Sequence, residues 1–176
     1  MRMQRVLLLA LVPTWFLTNS AGAQQQQTSN PLDAIPNKMP FSTPYGPPIA
    51  LQQAQSAIQA AEAEASKRGW PSNIAVVDSG ANLVAFIHMD GALLASIQIA
   101  QHKARTAVKF RRPTKVWEDA IQKLHYDYVL SLDDIIASRG GIPLVQDGKI
   151  IGGIGCSGGT GSQDEAICKV GAATVR

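Results

Sequence analysis

The sequence predicts an α+β domain whose centre is a largely antiparallel sheet of about five strands, with helices packed against it. Three observations lead there. Two pairs of short apolar runs are each joined by a tight polar turn, the pattern of two hairpins. Alanine-rich segments with apolar residues three and four apart separate and follow them, the pattern of helices. Regular βαβ alternation is missing, which argues against a doubly wound parallel sheet.

The first segment reads as an export signal over residues 1–23. Arg2 and Arg5 give a positive start, Val6–Leu17 is largely apolar, and Ala21-Gly22-Ala23 has the small-x-small form of a cleavage site before Gln24. The apolar run is shorter than the roughly 20 residues a membrane-spanning helix needs. A cleaved signal predicts a periplasmic or secreted protein with no integral membrane segment; a retained anchor is the alternative. Removing Arg2 and Arg5 brings the whole-chain charge of +3 closer to neutral. With no long basic tract and almost no aromatics between the basic residues, nucleic acid is not an expected partner.

Residues 24–48 read as an extended leader. Pro31, Pro36, Pro40, Pro44, Pro47 and Pro48 break any helix there, and Phe41 and Tyr45 are its expected anchors on the domain or on a partner subunit. The domain itself is expected over 49–176. A helix should run from Ile49 to Lys67 along Leu51, Ala54, Ile58, Ala61 and Ala65, and Gly69 with Trp70-Pro71 should stop it. Ile74–Val77 and Leu83–His88 form the first hairpin around Asp78–Asn82. Ile142–Val145 and Lys149–Cys156 form the second around Asp147-Gly148, a pair suited to the positive φ of such turns. Ile135–Ala137 is the candidate fifth strand. Further helices are expected over Leu93–Phe110, Thr114–Leu124 and Gln163–Val175, the last capped by Ser162 with Glu165.

His88 leads the residues that could carry chemistry. It ends a strand just before Met89-Asp90-Gly91, where its imidazole could ligate a metal or haem iron or simply be satisfied by Asp90 or the backbone. Met89 is a weaker candidate ligand. His102 and His125 read as structural or solvated. Lys103, Arg105, Lys109, Arg111 and Arg112 form a basic set that either faces solvent and nearby acids or holds carboxylates. The glycine-rich stretch 152–161 permits close backbone approach, by a ligand at Gly158 and Gly159 or by packing alone. Asp78, Asp90 and Asp164 read as turn and cap residues. Cys156 and Cys168 either pair, in keeping with an oxidising compartment, or stay as buried thiols; an intermolecular link is a third option. No residue here is assigned a catalytic role.

The ordered series Ile74–Gly80, Met89–Ala92, Ser96–Ala107, Phe110–Thr114, Gly140–Val145 and the glycine-rich stretch 152–161 resembles the GlcG/HbpS-like haem-binding or haem-degrading domain family. That family is also called domain of unknown function 336 and is related to the carboxy-terminal domain of PduO. The resemblance covers about residues 48–175. It implies a profilin-like fold and assembly as a dimer or a ring of dimers, and for some exported relatives haem binding or redox signalling. His88 stands where relatives often carry arginine. The resulting expectation is an exported protein that binds haem or a related tetrapyrrole, with His88 as the iron ligand. Lys103, Arg105 and Arg112 would meet the propionates, and Gly158 and Gly159 would allow close contact. The competing readings are an enzyme or carrier for a small organic acid, and a non-catalytic structural or signalling oligomer.

Overall fold

Both expected hairpins form, and their pairing makes the sheet. The computed structural model describes residues 34–39 and 41–175, so the signal expected over 1–23 lies outside the described residues. The elements in chain order are α1 (Leu51–Arg68), β1 (Asn73–Asp78), β2 (Leu83–His88), α2 (Ala95–Lys109), α3 (Lys115–Leu124), a 3-10 turn over Asp127–Ser131, β3 (Gly141–Gln146), β4 (Lys149–Ser157) and α4 (Gly161–Ala172). The strands lie in the order β2-β1-β4-β3, and every neighbouring pair is antiparallel.

The turns explain the hairpins. Asp78 Oδ1 accepts from the backbone N–H of Gly80 and of Asn82, at 2.8 and 2.9 Å, which folds the chain between β1 and β2. Asp147 and Gly148 both take positive φ, 49° and 73°, the twist a tight β3–β4 connection requires. The sheet has four strands among the described residues, not five. Ile135–Ala137 is irregular because its polar and apolar groups go elsewhere: the Ile136 N–H donates to Thr106 Oγ1 at 3.2 Å, and Ile135 and Ala137 pack against Trp117, Ala120 and Val129.

Each face of the sheet is covered. Ile74, Val76, Ile154 and Cys156 share a core with Ala54, Ile58 and Ala61 of α1 and with Ile167 of α4. Ala75 and Val77 share the other with Ala100, Ala104 and Val108 of α2. Burial of each large aliphatic side chain contributes about 1.5–3 kcal/mol, and the alanines and glycines let helix and sheet approach closely. Leu51, expected on the apolar line, opens α1 exposed, and Leu93, expected to begin the next long helix, precedes α2 with 61% of its surface exposed.

Residues 41–48, the end of the expected leader, lie on the domain. Pro44 to Ile49 runs beside the start of β4, where β1 has already ended, with Ile150 N–H donating to Pro44 and Ile49 N–H to Ile151, both at 2.8 Å. The Tyr45 hydroxyl donates toward the carbonyls of Val108 and Lys109 at 3.0 and 3.1 Å, and Phe41 lies beneath the Arg112 guanidinium. At α4 the cap is Thr160 rather than Ser162. Its hydroxyl accepts from the Gln163 N–H, and the Gln163 side chain returns the bond, completing a capping box two residues earlier than expected.

Cys156 of β4 and Cys168 of α4 form a disulfide across a separation of 12 residues, wholly buried. A cross-link closing a loop of this size contributes about 2–4 kcal/mol. Replacing both cysteines with alanine is therefore expected to lower the unfolding free energy by that amount, read as a drop in the urea midpoint, with a slope that rises as the uncross-linked denatured chain exposes more surface. An unchanged midpoint would contradict the pairing.

Candidate functional site

The sheet register brings His88 opposite Asn73, the first residue of β1. The His88 Nδ1 stands 2.6 Å from Asn73 Oδ1, and the Asn73 Nδ2 donates to the Leu93 carbonyl at 3.0 Å. Asn73 is fully buried, whereas His88 is exposed. The imidazole is thus held by one ring edge and open on the other. Leu93 and the 78%-exposed Leu94, at the entry to α2, add apolar surface at the same corner of the sheet.

Lys103 is placed quite differently. It is 1% exposed, and its ammonium lies 2.7 Å from Asp164 Oδ2 and 3.3 Å from the Cys156 carbonyl. The other carboxylate oxygen of Asp164 accepts from the N–H groups of Gly158 and Gly159, at 3.0 and 3.1 Å. The glycine-rich turn before α4 is an anion-accepting arrangement, as a helix start invites, and the chain's own carboxylate fills it. Asp164, expected as a turn or cap residue, is instead the centre of a buried network joining α2, β4 and α4.

The remaining basic residues lie further along α2 and beyond it. Lys109 pairs with Asp134, and that hydrogen bond, against partial burial, holds the Asp134 carboxyl below the usual carboxylate range; His102 and Arg105 add to the effect. Arg112 stacks on Phe41 at 3.5 Å and Trp117 at 4.9 Å from the ring centroids, and burial lowers its pKa. At 1.5 Å per residue α2 spans roughly 22 Å, so Arg112 stands at the end of the helix remote from His88. Two cavities among the described residues lie near these elements. One of about 470 Å³ lies between α1 and β2, lined by Leu51, Gln55, Ile58 and Phe86 among others, and one of about 240 Å³ lies by Phe41, Lys109 and Arg111. Neither is lined by His88 or Lys103, so these two residues share no cavity there.

Asn73 and Asp164 are the two polar residues of this region that sequence reasoning did not assign to it. Among the described residues no three His, Cys, Asp or Glu side chains are grouped to hold a bare metal ion. A single outward imidazole fits a different acceptor, an iron whose equatorial positions are already filled by a porphyrin.

Comparison with known proteins bears on that chemistry. A family model described as haem degrading protein HbpS-like matches residues 49–173. Protein GlcG of Escherichia coli (strain K12) is 39% identical over 109 residues, covering 62% of this chain and 81% of GlcG. The crystal structure of a double mutant of HbpS from Streptomyces reticuli aligns with a TM-score of 0.69 at 28% identity, over 81% of this chain and 98% of that one. The crystal structure of a PduOC:heme complex aligns with a TM-score of 0.66 at 28% identity, over 73% of this chain and 96% of that one.

Proposed function

This chain belongs to the HbpS-like family, and from that premise we propose that it binds haem or a related tetrapyrrole outside the cytoplasm, with His88 as the residue that would hold the iron. The observation that carries the reading is the exposed imidazole, anchored through one nitrogen on buried Asn73, whose amide reaches the Leu93 carbonyl at the entry to α2, where Leu93 and Leu94 are exposed. Such a corner offers a nitrogen donor together with apolar surface for a flat macrocycle. When bound, haem would supply redox or oxygen chemistry; the protein contributes the ligand, the apolar wall and the orientation.

The basic residues take modified roles in this proposal. Lys103 serves the fold, because Asp164 already meets its charge, and Gly158 and Gly159 serve it by the same network. Arg105 is half-buried on α2, and Arg112 is stacked between aromatic rings. The organic-acid reading loses Lys103, whose charge Asp164 meets, and keeps Arg112, one of whose guanidinium nitrogens is buried without a hydrogen-bond partner. Export is supported by the Cys156–Cys168 disulfide, which belongs to an oxidising compartment. Among the described residues no helix is long and apolar enough to cross a membrane. Assembly with further copies is supported by the exposed Leu130 and Tyr128 on the 3-10 turn.

The test is a haem titration followed at the Soret band. The wild type should bind saturably, and His88→Ala should shift the band and weaken binding about tenfold or more. A variant whose band and affinity match the wild type would remove His88 from the site.

A further inference from the structure

We propose that Asn73 is the positioning residue of this site: it fixes His88 in the Nδ1–H tautomer and so turns the Nε2 lone pair outward, toward an electron-pair acceptor such as haem iron. The identity of that acceptor rests on the haem reading; the tautomer does not.

The assignment follows from what each atom can donate. The Leu93 carbonyl can only accept, so the group 3.0 Å from it must be the Asn73 amide nitrogen. Reversing the amide would set two acceptor oxygens against each other at that distance. The opposite end of the side chain is therefore Oδ1, which can only accept, and it lies 2.6 Å from His88 Nδ1. That nitrogen must carry the hydrogen. A neutral imidazole has one N–H, so Nε2 is left with its lone pair, on the ring edge away from Asn73.

Asn73 is suited to the task by its place. Its backbone pairs with His88 of β2 on one side and Ser157 of β4 on the other, and its side chain is fully buried. It therefore links the start of β1, the end of β2 and the entry to α2 in one fixed arrangement. The carboxamide is neutral, so it orients the ring without placing a carboxylate beside it. Partners of this kind, behind a ligating histidine, typically carry a 10–100-fold share of affinity.

Nitrogen NMR of ¹⁵N-labelled protein without haem, at about pH 8 where an ordinary imidazole is neutral, reads the tautomer directly. The expected spectrum has His88 Nδ1 at the protonated position and Nε2 at the unprotonated one; the reverse pattern would overturn the proposal. Asn73→Leu should lose that preference and weaken haem binding about tenfold. A folded Asn73→Leu protein that retains the wild-type pattern would also overturn it, and if that variant fails to fold the wild-type spectrum decides alone. An Nδ1–H pattern in a protein whose haem spectrum is indifferent to His88→Ala would uphold the positioning role of Asn73 and reject haem as the acceptor.

Discussion

Asp164→Asn is expected to destabilise the protein by about 3–5 kcal/mol, the usual consequence of removing one partner of a buried ion pair. The substitution changes little in shape. Its remaining oxygen can still accept from Gly158 or Gly159, so what disappears is the negative charge facing Lys103. That ammonium is 1% exposed, with Asp164 at 2.7 Å and the Cys156 carbonyl at 3.3 Å as its hydrogen-bond partners. A carbonyl dipole cannot replace a full counter-charge in such surroundings. Since a domain of this kind is stable by about 5–15 kcal/mol in total, the loss should appear as a large fall in the urea midpoint. Lys103→Met combined with Asp164→Leu should recover part of it, since no uncompensated charge is left. The recovery is incomplete because the two glycine N–H groups then lack their acceptor. A single variant within about 0.5 kcal/mol of wild type, the range of ordinary surface changes, would contradict the buried pair.

Gly155→Ala is expected to be nearly as damaging, by about 3 kcal/mol or more, for a reason of space. A Cβ at Gly155 would lie 2.1 Å from the Ala100 carbonyl oxygen and 2.5 Å from the Ala104 nitrogen. Both are backbone atoms of α2, so no side chain can rotate away. The helix would have to lift from the sheet, loosening the packing of Ala100, Ala104 and Val108 on Ala75 and Val77. Ordinary over-packing costs about 1–3 kcal/mol, and a clash with main chain belongs at or above the top of that range. Thermal unfolding with circular dichroism measures it. A melting curve matching wild type would show that α2 does not sit this close to β4.

The same close packing explains what the sequence made legible. The hairpins were readable because Asp78–Asn82 and Asp147-Gly148 announce their turns locally. The resemblance carried by the ordered motifs, and not the periodicity, pointed to the HbpS-like family, and the family match over residues 49–173 agrees. Ile135–Ala137 misled because a short apolar run reads alike whether it pairs in a sheet or merely covers Trp117.

The buried pair left a signal that went unread. Lys103 follows Ala100 by three residues and precedes Ala107 by four, which puts it on the buried stripe of α2. Asp164 precedes Ile167 and Cys168 by three and four, which does the same on α4. A lysine and an aspartate on two buried stripes call for one another, yet they are 61 residues apart and only the fold joins them. The Asn73–His88 contact was nearer to hand. Extending the first strand by one residue would have brought Asn73 opposite His88 in the hairpin register. What no local pattern could supply is the Leu93 carbonyl that fixes the carboxamide, because it arrives with the following helix.

The most direct measurement is an anomalous diffraction map, collected at the iron edge, from crystals of the protein grown with haemin. The account predicts one iron peak at bonding distance from His88 Nε2, with the macrocycle against Leu93 and Leu94 and the Lys103–Asp164 pair intact beneath. An iron peak in the groove between α1 and β2, or beside any side chain other than His88, would contradict it.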